Sequence, residues 1–234
     1  MTKPPTAWTV LPHGEIEHLS GSVATVTGTL AMPLTTLERR MTVVRLNDGR
    51  LVVYSAMALD DEGMRALLAM GTPAFLVVPS HLHRLDAPAW RARFPSLVVV
   101  APSGARVKVE QLVAVETSSP DLEDASVRFV EVAGTGGREG ALEIEEDGRL
   151  TLVLNDLVGN LPISAGLVLR TLGFATERPR IPRMARRMLL KDPSALRRQL
   201  EAWAERPIAR VVVSHGRPIE HDIPDVLREM ARTL

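Results

Sequence analysis

The first hundred residues are dominated by short β-branched and apolar runs. SVATVTGTL over 22–30 is dense in Val and Thr, and MTVVRLNDGRLVVYS over 41–55 is two such runs joined at Asn47-Asp48-Gly49. The pattern predicts a hairpin there, because its turn needs positive φ, which Asn, Asp and Gly accept. LDDEGMRALLAMG over 59–71 switches to helical spacing, with acids in the first turn and Gly71 as the stop. AFLVVP over 74–79 and SLVVVAP over 96–102 are almost wholly apolar, the mark of strands buried on both faces. APAWRARF between them predicts a short helix.

The second half opens with more strands: VRFVEVAG over 127–134, GALEIEE over 140–146 and RLTLVLND over 149–156, the last two joined by an Asp147-Gly148 turn. Helical material follows. DPSALRRQLEAWAER starts with Asp192 as N-cap and Pro193 at the first helical position. ARVVVSHG over 209–216 is a buried strand running into a loop, and DIPDVLREMARTL closes the sequence as a helix with a similar Asp cap at Asp222. No solenoid repeat or low-complexity segment interrupts the pattern. Strand-rich halves that each end in helix suit sheets covered by helices.

Composition narrows the picture. The 234 residues are 45% hydrophobic, enough for one core, so a single domain over 1–234 is the expectation. Lys+Arg and Asp+Glu are both 28, so no basic excess argues for nucleic acid. There is no cysteine, which removes disulfides and thiolate ligands and leaves His, Asp, Glu and backbone for any metal. No window has the roughly 18 uncharged apolar residues of a membrane span. The beginning, MTKPPTAWTVLPHGE, lacks the apolar stretch of a signal peptide. A soluble cytoplasmic protein is therefore expected. Nothing in the pattern fixes an oligomeric state.

The polar residues that could carry chemistry fall at strand ends. His81 and His83 follow the 74–78 strand, with Asp86 close behind; Asp156 ends the 150–154 strand; His215 follows the 210–213 strand. Ligands gather outside the carboxyl ends of strands. Singly, each residue has a plainer explanation: a solvated His-x-His loop, a cap at Asn155-Asp156, a turn at Ser214-His215-Gly216. Together they would make a nitrogen and oxygen donor set suited to zinc, iron or manganese.

PSHLHRLDAPAW, TLVLNDLVG and VVVSHGRPI, in that order, resemble the parts of the metallo-β-lactamase superfamily: a His-x-His-x-Asp-His loop, a strand with a metal-bridging Asp, and a final Ser-His-Gly turn. A narrower resemblance, to an uncharacterised lactamase-related bacterial family, lies in the segment PLTTLERRMTVVRLNDGRLVVYSAMALD, in His83 followed by Trp90, and in LNDL. The resemblance implies an α+β fold, the four-layer αββα sandwich. It also implies a metal held by His81, His83, Asp86, Asp156 and His215, with Asp86 and Asp156 as catalytic groups. The motif is eroded. Leu85 stands where the superfamily has its Asp, and Asp86 where it has its last His. AGTGGREG, with Thr135, stands where the third His belongs, and no histidine lies between Asp86 and His215.

At most one zinc, iron or manganese ion is then expected, or none. The expected activity is hydrolysis of a small ester, lactone, thioester or phosphoester. The rival is a non-catalytic protein that binds a small ligand or partner protein through the same cleft. A separate feature is RPRIPRMARRMLLK, from Arg178 to Lys191, rich in arginine and without an acid. It predicts a solvated helical insertion outside the sheets or, more sharply, a basic lid over an anionic substrate or a patch for acidic lipid headgroups.

Overall fold

The computed structural model describes residues 6–32 and 34–234. They form two compact units, one from residues 6–31 and 36–124, the other from 32, 34–35 and 125–234. Among the described residues no helix is long and apolar enough to cross a membrane.

The first unit is built on a six-stranded sheet in sequence order: β1 (Glu17–His18), β2 (Val23–Met32), β3 (Thr35–Arg45), β4 (Arg50–Tyr54), β5 (Thr72–Val77) and β6 (Val98–Val100). The expected hairpin joins β3 to β4, with Gly49 at φ 86. From β4 onward the strands run parallel, so each connection must cross over, and helices serve for this. Helix α1 (Asp61–Met70) follows Asp60, whose carboxylate accepts the Gly63 N–H at 2.8 Å. Helix α2 (Ala87–Arg93) carries the fully buried Trp90, whose Nε1 donates to the Met57 carbonyl at 3.0 Å. A single turn, α3 (Arg106–Val109), was not foreseen because four residues show no period. Val43, Val53, Leu76, Leu97 and Val99 join Trp90 in this core.

The second unit has a four-stranded sheet in the order β10-β9-β8-β7, from β7 (Val127–Glu131), β8 (Gly140–Glu146), β9 (Arg149–Asn160) and β10 (Ile208–Gly216). Its helices are α4 (Leu167–Leu172), α5 (Arg183–Leu189), α6 (Pro193–Ala204) and α7 (Ile223–Arg232). Strand β9 runs past Asp156 to Asn160, longer than its apolar run suggests. The β10 strand, expected to be buried from its apolar character, lies at the sheet edge, where Ile219 pairs with Val211 and covers it. The Asp192 cap of α6 forms as expected, accepting from Ala195 N at 3.0 Å. Asp222 does not cap α7 with its side chain; its backbone turns left-handed at φ 52 instead. The arginine-rich segment adds no strand to the sheet, but it touches the sheet at Arg180, which bridges to Gly159 of β9; Ala185 and Leu189 of α5 are buried and Arg186 and Arg187 exposed.

Candidate metal centre

Chain direction sets the first donor. Strand β5 ends at Val77, and Val78 N still donates to the Val100 carbonyl at 2.8 Å. Pro79 cannot extend the ladder. The chain turns at buried Ser80, whose Oγ accepts from Leu82 N at 3.2 Å and whose carbonyl accepts from His83 N at 3.2 Å. That tight turn presents His83. Its Nδ1 lies 2.8 Å from the Ser55 hydroxyl, which leaves Nε2 as the nitrogen to face a ligand. Ser55, just past β4, sits at φ 56, a left-handed conformation that a non-glycine residue rarely adopts. Its N–H donates to the Val77 carbonyl at 3.0 Å, so the strand that delivers the turn also fixes its support.

Strand pairing sets the other two donors. Along β9 and β10 the parallel register runs Val153 with Val212 and Leu154 with Val213, then resumes at Gly159 with His215 and Asn160 with Gly216. No register partner is shared between Leu154 and Gly159, and Asp156 sits inside this bulge. Bulges of this kind re-aim side chains beside active sites. Asp156 Oδ1 and His215 Nε2 stand 3.1 Å apart, both buried, the imidazole donating and the carboxylate accepting. The Phe174 ring meets His215 edge-on at 5.4 Å. Gly216, at φ 106, holds the turn after His215 against the Asn160 backbone.

Glu139 adds a second buried acid, missed in the sequence because a Glu before a strand carries no signal of burial. Its Oε1 accepts from Leu157 N at 3.0 Å, and its Oε2 is buried without a hydrogen-bond partner. Burial first, and the Asp156 charge second, push its carboxyl well above the ordinary range and favour the protonated form.

Asp156 and His215 are buried side by side in the second unit, and His83 is half-buried in the first. Imidazole and carboxylate are donors suited to zinc, iron or manganese. The other expected donors, His81 and Asp86, lie in the first unit with His83. Half-buried His81 occupies the turn after Ser80. Asp86 Oδ2 accepts from Arg39 Nη1 at 2.6 Å in a pair with little solvent exposure. Thr135, in the stretch where the resemblance would place a third histidine, is buried with its hydroxyl donating to the Val132 carbonyl at 2.7 Å. His13 is a latch elsewhere: Nε2 accepts from Asp60 N at 3.0 Å and Nδ1 donates to the Gly14 carbonyl at 2.8 Å.

No protein-family model and no curated protein matches the chain. Solved structures do. The metallo-β-lactamase FIM-1 from Pseudomonas aeruginosa, in its mono-zinc form, superposes with a TM-score of 0.65 at 12% identity, over 97% of this chain and 98% of that one. A metallo-β-lactamase from Erythrobacter litoralis gives 0.64 at 12% identity, over 94% and 96%. One from Hirschia baltica gives 0.61 at 12% identity, over 94% and 98%. The chain has the metallo-β-lactamase fold, the αββα sandwich expected from its sequence, with a donor set short of that motif.

Proposed function

We propose that the protein is a mononuclear metal-dependent hydrolase acting on a small ester, lactone, thioester or phosphoester. The observation that carries this reading is the buried pair of Asp156 and His215, their donor atoms 3.1 Å apart, with His83 as the third donor the reading calls for. A divalent ion bound there would supply Lewis-acid polarisation and a bound water of lowered pKa. The chain's own residues prepare the site. Ser55 fixes the ring of His83 through Nδ1, and Phe174 packs on His215. Asp86 is expected as a ligand or general base, but Arg39 holds its carboxylate, so we assign it to positioning α2 and keep Asp156 as ligand and catalytic group. Because the likeness to whole lactamases spans 97% of the chain, we read 1–234 as one domain.

The test is elemental analysis of protein purified without chelator, then repeated after dialysis against zinc, iron(II) or manganese(II). One ion per chain is expected, lost in His83→Ala with the fold retained. Two ions per chain would contradict the mononuclear reading. No ion under any condition would favour the non-catalytic alternative, a protein that binds a small ligand or partner protein through the same cleft.

A further inference from the structure

The arginine-rich segment does not merely coat the second unit. It lines a cleft of about 650 Å³, together with residues of α4 and the end of α7. That volume falls within the range of roughly 300–1,000 Å³ typical of small-molecule sites. Arg170, Arg178, Arg180 and Arg183 all line it, with Ile163 and Leu167 beside them.

The arginines are gathered by the backbone. Gly173 ends α4 in a left-handed turn at φ 88, and a Cβ there would lie 2.6 Å from Arg183 N. Only glycine lets the end of α4 approach the start of α5 so closely, which places Arg170 and Arg183 on one cleft. Arg180 is tied at its backbone to Gly159, accepting from its N–H at 3.0 Å and donating to its carbonyl at 3.2 Å. The Thr176 hydroxyl donates to the Arg178 carbonyl at 2.5 Å and tightens the loop between them.

The charges do not cancel within the cleft. Among the described residues, none of these four guanidiniums makes an ion pair. Two acids, Glu177 and Glu229, also line the cleft, and Glu229 already faces Arg232 at 3.3 Å. Four cations with so little compensation repel one another, and an anion of two or more charges relieves this. Guanidinium forks match phosphate oxygens in bidentate fashion. Leu167 is 73% exposed and Ile163 38%, which gives an apolar wall beside the charged one.

We propose that this cleft binds a phosphate-bearing ligand of at least two negative charges, with an apolar portion resting on Ile163 and Leu167. The phosphate belongs either to a soluble organic phosphate or to a lipid headgroup. The site is independent of the metal reading, since none of the three metal donors lines it.

Calorimetry with inorganic pyrophosphate tests the soluble source. Co-sedimentation with phosphatidylcholine vesicles, with and without about one-fifth phosphatidic acid, tests the headgroup. The wild-type protein is expected to bind saturably in at least one arm, with affinity falling as salt rises. Two double variants, Arg170→Gln with Arg183→Gln and Arg178→Gln with Arg180→Gln, should each weaken that binding by about tenfold or more. All four side chains are exposed, and circular dichroism should stay unchanged; testing the pairs separately keeps one readout should the other misfold. Arg65→Gln on α1 should bind as wild type. Binding in only one arm assigns the source and supports the site. Binding in neither, or binding undiminished in a folded double variant, would overturn it.

Discussion

Glu143 on β8 should prove to be the most sensitive exchangeable charge in the second unit. Its carboxylate is nearly buried and takes three donors: Trp203 Nε1 at 2.8 Å, Arg206 Nη1 at 2.6 Å and Arg128 Nη2 at 2.5 Å. Glu143→Leu keeps the bulk and removes every acceptor. The buried indole N–H then goes unsatisfied, at about 1–3 kcal/mol. The Arg206 pair, partly exposed, adds about 1 kcal/mol, and the Arg128 pair, whose side chain is 65% exposed, about 0–1 kcal/mol after solvent screening. The total expected is about 2–5 kcal/mol. Glu143→Gln keeps a carbonyl for Trp203 and loses only charge, so about 1–2 kcal/mol is expected. Its pH dependence separates charge from packing. Burial raises the Glu143 carboxyl, but the hydrogen bonds from Arg128, Arg206 and Trp203 outweigh it, and the net direction is down. A group depressed on folding contributes fully above its unfolded pKa of about 4.3 and loses that contribution as pH falls through the folded value. The gap between wild type and Glu143→Gln should therefore be widest above about pH 5 and narrow progressively as pH falls through the depressed folded value. Urea melts at several pH values measure it. A gap that does not change with pH, or a Glu143→Leu protein within about 0.5 kcal/mol of wild type, would refute this account.

Three further outcomes are expected. Trp90→Ala should destabilise the first unit by about 3–5 kcal/mol, because it empties a fully buried site and orphans the Met57 carbonyl; chemical denaturation measures it. Ser55→Ala should lower metal affinity by about 10–100-fold with little change in secondary structure, read by competition with a chelating dye; unchanged affinity would mean that Ser55 does not orient His83. Gly216→Ala should cost about 2–5 kcal/mol, since φ 106 opposes a side chain and the new Cβ would meet Asn160 carbonyl atoms at 2.2 Å; a thermal melt near that of wild type would contradict the close approach.

Much of this fold is legible in local chemistry. The 47–49 hairpin, the 59–71 helix and the Asp192 cap are each written in a few adjacent residues, and each forms. What the sequence hides depends on distant partners. β10 reads as an interior strand because it is apolar, yet it lies at the edge and is covered by Ile219. Asp156 reads as a strand terminus because Asn155-Asp156 interrupts the apolar run, yet the strand continues through a bulge to Asn160. Of the donors expected, Asp156 and His215 stand together in the second unit. Asp86 was proposed from its place in an eroded motif, and no local pattern announces that Arg39, nearly fifty positions earlier, takes up its carboxylate. Ser55 was equally invisible, because its role rests on a backbone conformation that composition does not specify.

The bulge between Leu154 and Gly159 separates alignment from chemistry. The parallel ladder is fixed upstream by Val153 with Val212 and downstream by Gly159 with His215, so the residues in between carry no burden of keeping the strands in step. The stretch works as a socket whose contents can be exchanged. Replacing Asp156 with histidine or asparagine would change the donors of the proposed centre, while the frame on either side keeps the strands aligned.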